Sequence, residues 1–155
     1  MSKPGFGKKY GEAIKFNRNI IIAGLAAFLT STFVAQVSYE STGDLGNSAL
    51  ALATEYGVYI PAFALLFYLD NRSKYVDPAT GKRDSKRIGD DIKKLLASFS
   101  VSEVIFAVTR FGLHYQLLQS GAEAYVASMA SSVVAWVVFF IAINLMAKLV
   151  KLFRH

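Results

Sequence analysis

Residues 102–115 read SEVIFAVTRFGLHY, and the fold turns on what Glu103, Arg110 and His114 are doing there. They sit inside an apolar run from about Leu95 to Leu118. On a helix their spacings of seven and four bring all three near one face, with Ser100 and Ala107 as small residues between them. Ionisable side chains at bilayer depth face a bundle interior or a wet cavity. The stretch therefore reads as one polar seam of a helix bundle in lipid.

Three further runs match it. They cover about 20–37 (IIIAGLAAFLTSTFVAQV), 49–69 (ALALATEYGVYIPAFALLFYL) and 125–146 (YVASMASSVVAWVVFFIAINLM). With 95–118 they make four candidate spans, since about 20 helical residues cross a hydrocarbon core. Pro61 is tolerable inside such a helix. The chain of 155 residues is 54% hydrophobic, and its charges are nearly absent from the four runs. The expected fold is an all-α membrane protein forming a single integral domain over 1–155, with no cleavable signal segment expected ahead of the first span.

Charge gives the orientation. Lys3, Lys8, Lys9, Lys15 and Arg18 precede the first run. Arg72, Lys74, Lys82, Arg83, Lys86, Arg87, Lys93 and Lys94 fill the 70–94 loop, and Lys148, Lys151 and Arg154 follow the last run. These are sixteen of the seventeen Lys and Arg residues. The connections at 38–48 and 119–124 carry only Glu40, Asp44 and Glu123. Both termini and the long loop are thus expected in the cytoplasm. The excess of +6 is loop charge, and nucleic acid is not an expected partner. Cysteine is absent, which excludes thiolate metal sites. No second His lies near His114, so no metal ligand set is expected. No nucleophile–base pair or paired-carboxylate motif is present either. A non-enzymatic role without a cofactor is the expectation.

Span 2 runs opposite to span 3. At 1.5 Å per residue, Arg110 lies roughly 22 Å above the inner surface and Glu55 roughly 21 Å above it, in a core about 30 Å thick. A Glu55–Arg110 ion pair is expected. Glu103 has no basic residue at its own level and is expected to hold a proton or face water. His114 is expected at the outer rim. Tyr56, Tyr59, Tyr115 and Tyr125 gather toward the outer side as an aromatic belt, and mid-span Trp136 is expected to pack. Small-residue stripes at Ala23–Ala27 and Ala127–Ser131–Ala135 suit close helix packing within the fold, with a homo-oligomer as the lesser reading. The lead-ins around Tyr10–Ile14 and Ile88–Leu96 are either interfacial amphipathic helices or plain extensions of spans 1 and 3. NRSKYVDPATGKRD (71–84) is a turn-rich connector with Pro78 and Gly81 as breakers.

The two halves repeat one architecture: a basic lead-in, a span, a short acidic outer loop and a second span. The second spans close with Asn71 and Asn144, each followed by basic and aromatic residues. On these features the chain resembles the GtrA-like family, with Asn71, Arg72, Tyr75 and Val76 as its closing signature, Gly24 as the first-span glycine, and Asn144, Lys148 and Phe153 as the second closing motif. The resemblance implies two pseudo-repeated hairpins in the cell membrane and a role with polyprenyl-phosphate-linked sugars. That role is their translocation, or their presentation to a partner glycosyltransferase, for surface glycan synthesis. On that reading Arg72, Lys74 and Arg110 are the expected ligands of the lipid phosphate. Two other classes stay open. One is an accessory subunit of a larger membrane complex, and the other is a small proton-coupled transporter using Glu55 or Glu103.

Overall fold

The computed structural model describes residues 6–150, with side chains from Gly11 onward. Lys3, Lys151, Phe153 and Arg154 lie outside the described residues, as do the side chains of Lys8, Lys9 and Tyr10. Every regular element described is helical: α1 (Phe6–Asn71), a 3-10 turn (Arg72–Tyr75), α2 (Ser85–Gln119) and α3 (Ala124–Leu149). All three α-helices are long and apolar enough to cross a membrane.

A straight helix as long as α1 would extend roughly 100 Å, but α1 folds back at Gly43. The backbone there has φ 62° and ψ −178°, a conformation that glycine adopts without a Cβ penalty. The two arms, 6–42 and 44–71, lie antiparallel. Asn47 Nδ2 donates to the Ala35 carbonyl at 2.7 Å near the bend. At the far end Arg18 Nη2 and Asn19 Nδ2 donate to Asp70 Oδ2 at 2.6 and 2.8 Å. The connection expected over 38–48 is therefore helical except at Gly43. Ser41 and Thr42 return their hydroxyls to the Ser38 carbonyl, and Ser48 to that of Asp44, so the polar side chains support the helix there. The α2–α3 turn is a true break and also carries a positive-φ glycine, Gly121 at φ 87°.

Neither lead-in is a separate helix. The 85–94 segment continues unbroken into α2, started by the Asp84 carboxylate accepting from the Arg87 N–H at 3.0 Å. The 71–84 connector is a closed turn. Val76 bridges Arg83, and Asp77 accepts from the Ala79 N–H at 2.9 Å and the Thr80 hydroxyl at 2.8 Å. Those bonds, the Ala79 N–H first, hold the Asp77 carboxyl below its usual range.

The surface exposes many large apolar side chains, and the interior holds polar groups beside its apolar core. Leu29, Phe33, Val104 and Val108 are all at least 64% exposed, while the largest fully buried side chain is Arg110. Apolar side chains facing out and polar groups facing in suit a bundle surrounded by hydrocarbon. The stripes Ala23–Ala27 and Ala127–Ser131–Ala135 are fully buried inside the fold. Below them an aromatic cluster fills the core, with Phe63–Phe99 centroids 5.0 Å apart and Tyr59–Trp136 5.1 Å. Tyr59 thus belongs to the core and not to an outer belt.

Candidate functional site

The buried strip of α2 runs Ser98, Ser102, Phe106, Arg110, His114, Leu118. It follows the i+4 row, which drifts around the helix by about 40° per step. Glu103 is only half-buried on its flank, and Ser100 faces outward. The small residues on the seam are Ser98 and Ser102, not Ser100 and Ala107.

Arg110 is the hub. Its Nε donates to Glu55 Oε2 at 2.8 Å, closing the pair expected from matched depth. Nη1 donates to Ser131 Oγ at 2.6 Å and Nη2 to Ser128 Oγ at 2.8 Å. Nη1 also lies 2.8 Å from His114 Nδ1. A guanidinium has only donors, so His114 accepts through Nδ1 and carries its proton on Nε2. That Nε2 is buried without a partner. His114 is fully buried beside Arg110, which corrects its expected place at the outer rim. Glu55 is equally occupied. Trp136 Nε1 donates to Oε1 at 2.8 Å, and Ser132 Oγ lies 3.2 Å from Oε2. Trp136 therefore both packs and binds the carboxylate. The network joins the second arm of α1, α2 and α3. It has the form of a buried pair with its remaining hydrogen bonds met, the condition under which burial of both charges is tolerated.

Gly24 makes room for it. A Cβ at Gly24 would come 2.9 Å from the Trp136 ring. The first arm of α1 can approach the indole only where no side chain intervenes.

The second polar region lies where α1 ends. A cleft of about 260 Å³ is lined by Tyr68, Arg72, Ser73, Tyr75, Val76, Arg83 and Ile88. Arg72 follows directly on α1, and Arg83 is brought across by its bridge to Val76. Both arginines are exposed. Tyr75 is buried, with its hydroxyl facing Asp91, and burial followed by the Asp91 charge pushes it up to about 12. Lys74 is paired with the Glu12 carboxylate. Asn71 donates to the Phe67 carbonyl at 2.8 Å, a local bond at the helix end. Asn144 does the same to Phe140 at 2.8 Å, and it also exchanges amide hydrogen bonds with Asn17 at 2.7 and 2.8 Å. The two closing asparagines thus share a local geometry but not a partner.

Sequence reasoning missed Ser128, Ser132, Asn17 and Arg83. Only Ser128 and Ser132 carried a readable signal, namely hydroxyls recurring at i+4 on the span facing Arg110. No family model matches the chain, and neither a curated protein nor a solved structure matches it.

Proposed function

We propose that this is a multi-pass protein of the cell membrane, with four spans in two pseudo-repeated hairpins and both ends of the bundle's chain on the cytoplasmic side. We further propose that it holds the phosphate of a polyprenyl-phosphate-linked sugar at its inner face, for translocation or for presentation to a glycosyltransferase. The observation that carries this reading is the cleft with Arg72 and Arg83 at its rim and Tyr68, Val76 and Ile88 along it. Two guanidinium forks suit phosphate oxygens, and an aromatic–aliphatic wall suits the first carbons of a lipid chain. The sugar and the polyprenyl carrier come from the GtrA-like resemblance alone. Lys74 adds positive charge nearby while bound to Glu12. Arg110 takes a different role from the one expected of it. It is fully buried and bonded on all three nitrogens, so on this reading it holds the bundle together and the lipid phosphate falls to Arg72 and Arg83.

The orientation has a direct test. Cysteines placed at Ser41 and Gly121 should react with an impermeant maleimide from outside cells, and one at Ser85 should react only after permeabilisation. The reverse pattern would overturn the orientation, and a mixed pattern the four-span count.

For the ligand, native mass spectrometry of the protein in nanodiscs should show a polyprenyl phosphate retained over the uncharged polyprenol. Arg72→Gln with Arg83→Gln should weaken that retention at least about tenfold, the equivalent of ~1.4 kcal/mol. Equal retention of the alcohol, or an unaffected double variant, would sink the phosphate site. Accelerated exposure of the lipid to an outside probe in vesicles separates translocation from presentation.

One observation favours the accessory-subunit reading. An apolar groove of about 520 Å³ runs between the first arm of α1 and α3, along Gly24, Leu25, Phe28, Val133 and Val137. A helix of a partner subunit, a glycosyltransferase among them, would fit such a groove.

A further inference from the structure

Beside the Arg110 network a small cavity of about 10 Å³ is bounded by Glu55, Tyr56, Tyr59 and Glu103, with Phe106 and Trp136 as aromatic walls. Its size is that of about one water molecule, but only apolar surface faces it, so it is a dry gap between these side chains. Tyr59 is only 3% exposed, and its hydroxyl has no hydrogen-bond partner. Tyr59 borders the same small space as Glu103 and Tyr56. Tyr56 Oη donates to the Glu103 carbonyl at 3.1 Å, which ties the second arm of α1 to α2 at this point.

Charge balance sets what the cluster takes up. Arg110 neutralises Glu55. Glu103 is a second carboxylate, and among the described residues no cation pairs with it. The groups facing it are Glu55, Tyr56 and Tyr59 from α1 and the uncharged Trp136 from α3. Arg110, two turns further along α2, is turned to Glu55. The cluster therefore carries one uncompensated negative charge in a medium that penalises it heavily. A hydrated metal ion does not fit in the space of one water.

We propose that Glu103 is a proton-binding site: its carboxyl group takes up one proton where it borders the same small space as Tyr59 and the Glu55 carboxylate. The proton bonds to a Glu103 carboxylate oxygen and leaves by the same route, and no other bond is made or broken. Loading brings the Glu55–Arg110–Glu103 cluster to zero net charge. Unloading leaves a negative charge between the second arm of α1 and α2. The site is independent of the lipid reading.

The test uses the whole protein in lipid vesicles. Infrared difference spectra between acid and alkaline pH should show the carbonyl band of a protonated carboxyl group in the wild type. Glu103→Gln, which imitates the loaded form, should lose that band. In the same vesicles the unfolding midpoint of the wild type should fall relative to Glu103→Gln as pH rises, because unloading strands a negative charge between the two helices. Tyr59→Phe should keep the band. A band that survives Glu103→Gln, or parallel pH profiles for the two proteins, would overturn the proposal. If sodium or potassium at fixed pH raises the wild-type midpoint and leaves that of Glu103→Gln unchanged, a metal cation fills the site and the proton assignment fails.

Discussion

Arg110→Ala should unfold at markedly lower denaturant or temperature than the wild type, with a loss of about 3–5 kcal/mol, the range for stripping one partner from a buried ion pair. The substitution strands the Glu55 carboxylate, and it also leaves the Ser128 and Ser131 hydroxyls and His114 Nδ1 without their guanidinium. Arg110→Ala combined with Glu55→Gln should regain part of the loss, because a neutral amide can still accept from Trp136 and Ser132. It should not regain all of it, since the α3 hydroxyls stay unpaired. Arg110→Lys should rescue poorly, because an ammonium cannot present a planar fork to Glu55, Ser128 and Ser131 together. Equilibrium unfolding in mixed micelles reads all three variants. If the double variant is no more stable than Arg110→Ala, Glu55 and Arg110 act independently, and the hub described for the three helices is wrong.

The second large effect is expected at Gly24. Gly24→Ala places a methyl group 2.9 Å from the indole, so either the ring or the first arm of α1 must move. Overpacking of this kind costs about 1–3 kcal/mol. Displacing the ring would also lengthen the Trp136–Glu55 hydrogen bond, which adds to the loss. The chain has one tryptophan, so its fluorescence reports on that indole alone. Gly24→Ala should shift the emission and lower the unfolding midpoint. Gly57→Ala, where a Cβ meets nothing within 4 Å, should do neither. Matching behaviour of the two variants would mean that the close approach at Gly24 does not support the network.

The helices and the central ion pair were legible because each rests on a single property. Long apolar runs specify helices in lipid, and charge depth alone matched Glu55 to Arg110. The errors arose where one residue does two jobs. Ser131 was read as a small residue for close packing, yet its hydroxyl also binds the guanidinium. Trp136 was read as packing, yet its N–H binds the carboxylate. His114 was misplaced for a geometric reason. It stands one turn beyond Arg110 on the buried row of α2, so its ring is turned into the bundle at whatever depth it lies. Glu103 and Arg110 share a straight seven-residue row, whereas the buried strip follows the winding i+4 row, which leaves Glu103 at its edge. The cleft at Arg72 was half legible. Its other arginine, Arg83, is brought there by the turn that Asp77 organises, and the order of residues along the chain does not announce that approach.

The separation of Glu55 from Arg110 by 55 residues also has a consequence in time. A ribosome adding about 5–20 residues per second needs roughly 3–11 s to make that interval. The first hairpin, already folded back at Gly43, therefore exists for seconds with a carboxylate whose guanidinium is not yet made. On the four-span reading, Glu55 must during that period stay solvated, in an insertion machine or the headgroup region, or carry a proton as proposed for Glu103. On that reading, release into the bilayer becomes more favourable when α2 delivers Arg110 and α3 delivers the serines. The two hairpins are thus expected to enter the lipid as one cooperative unit, with arrival of the second licensing departure of the first.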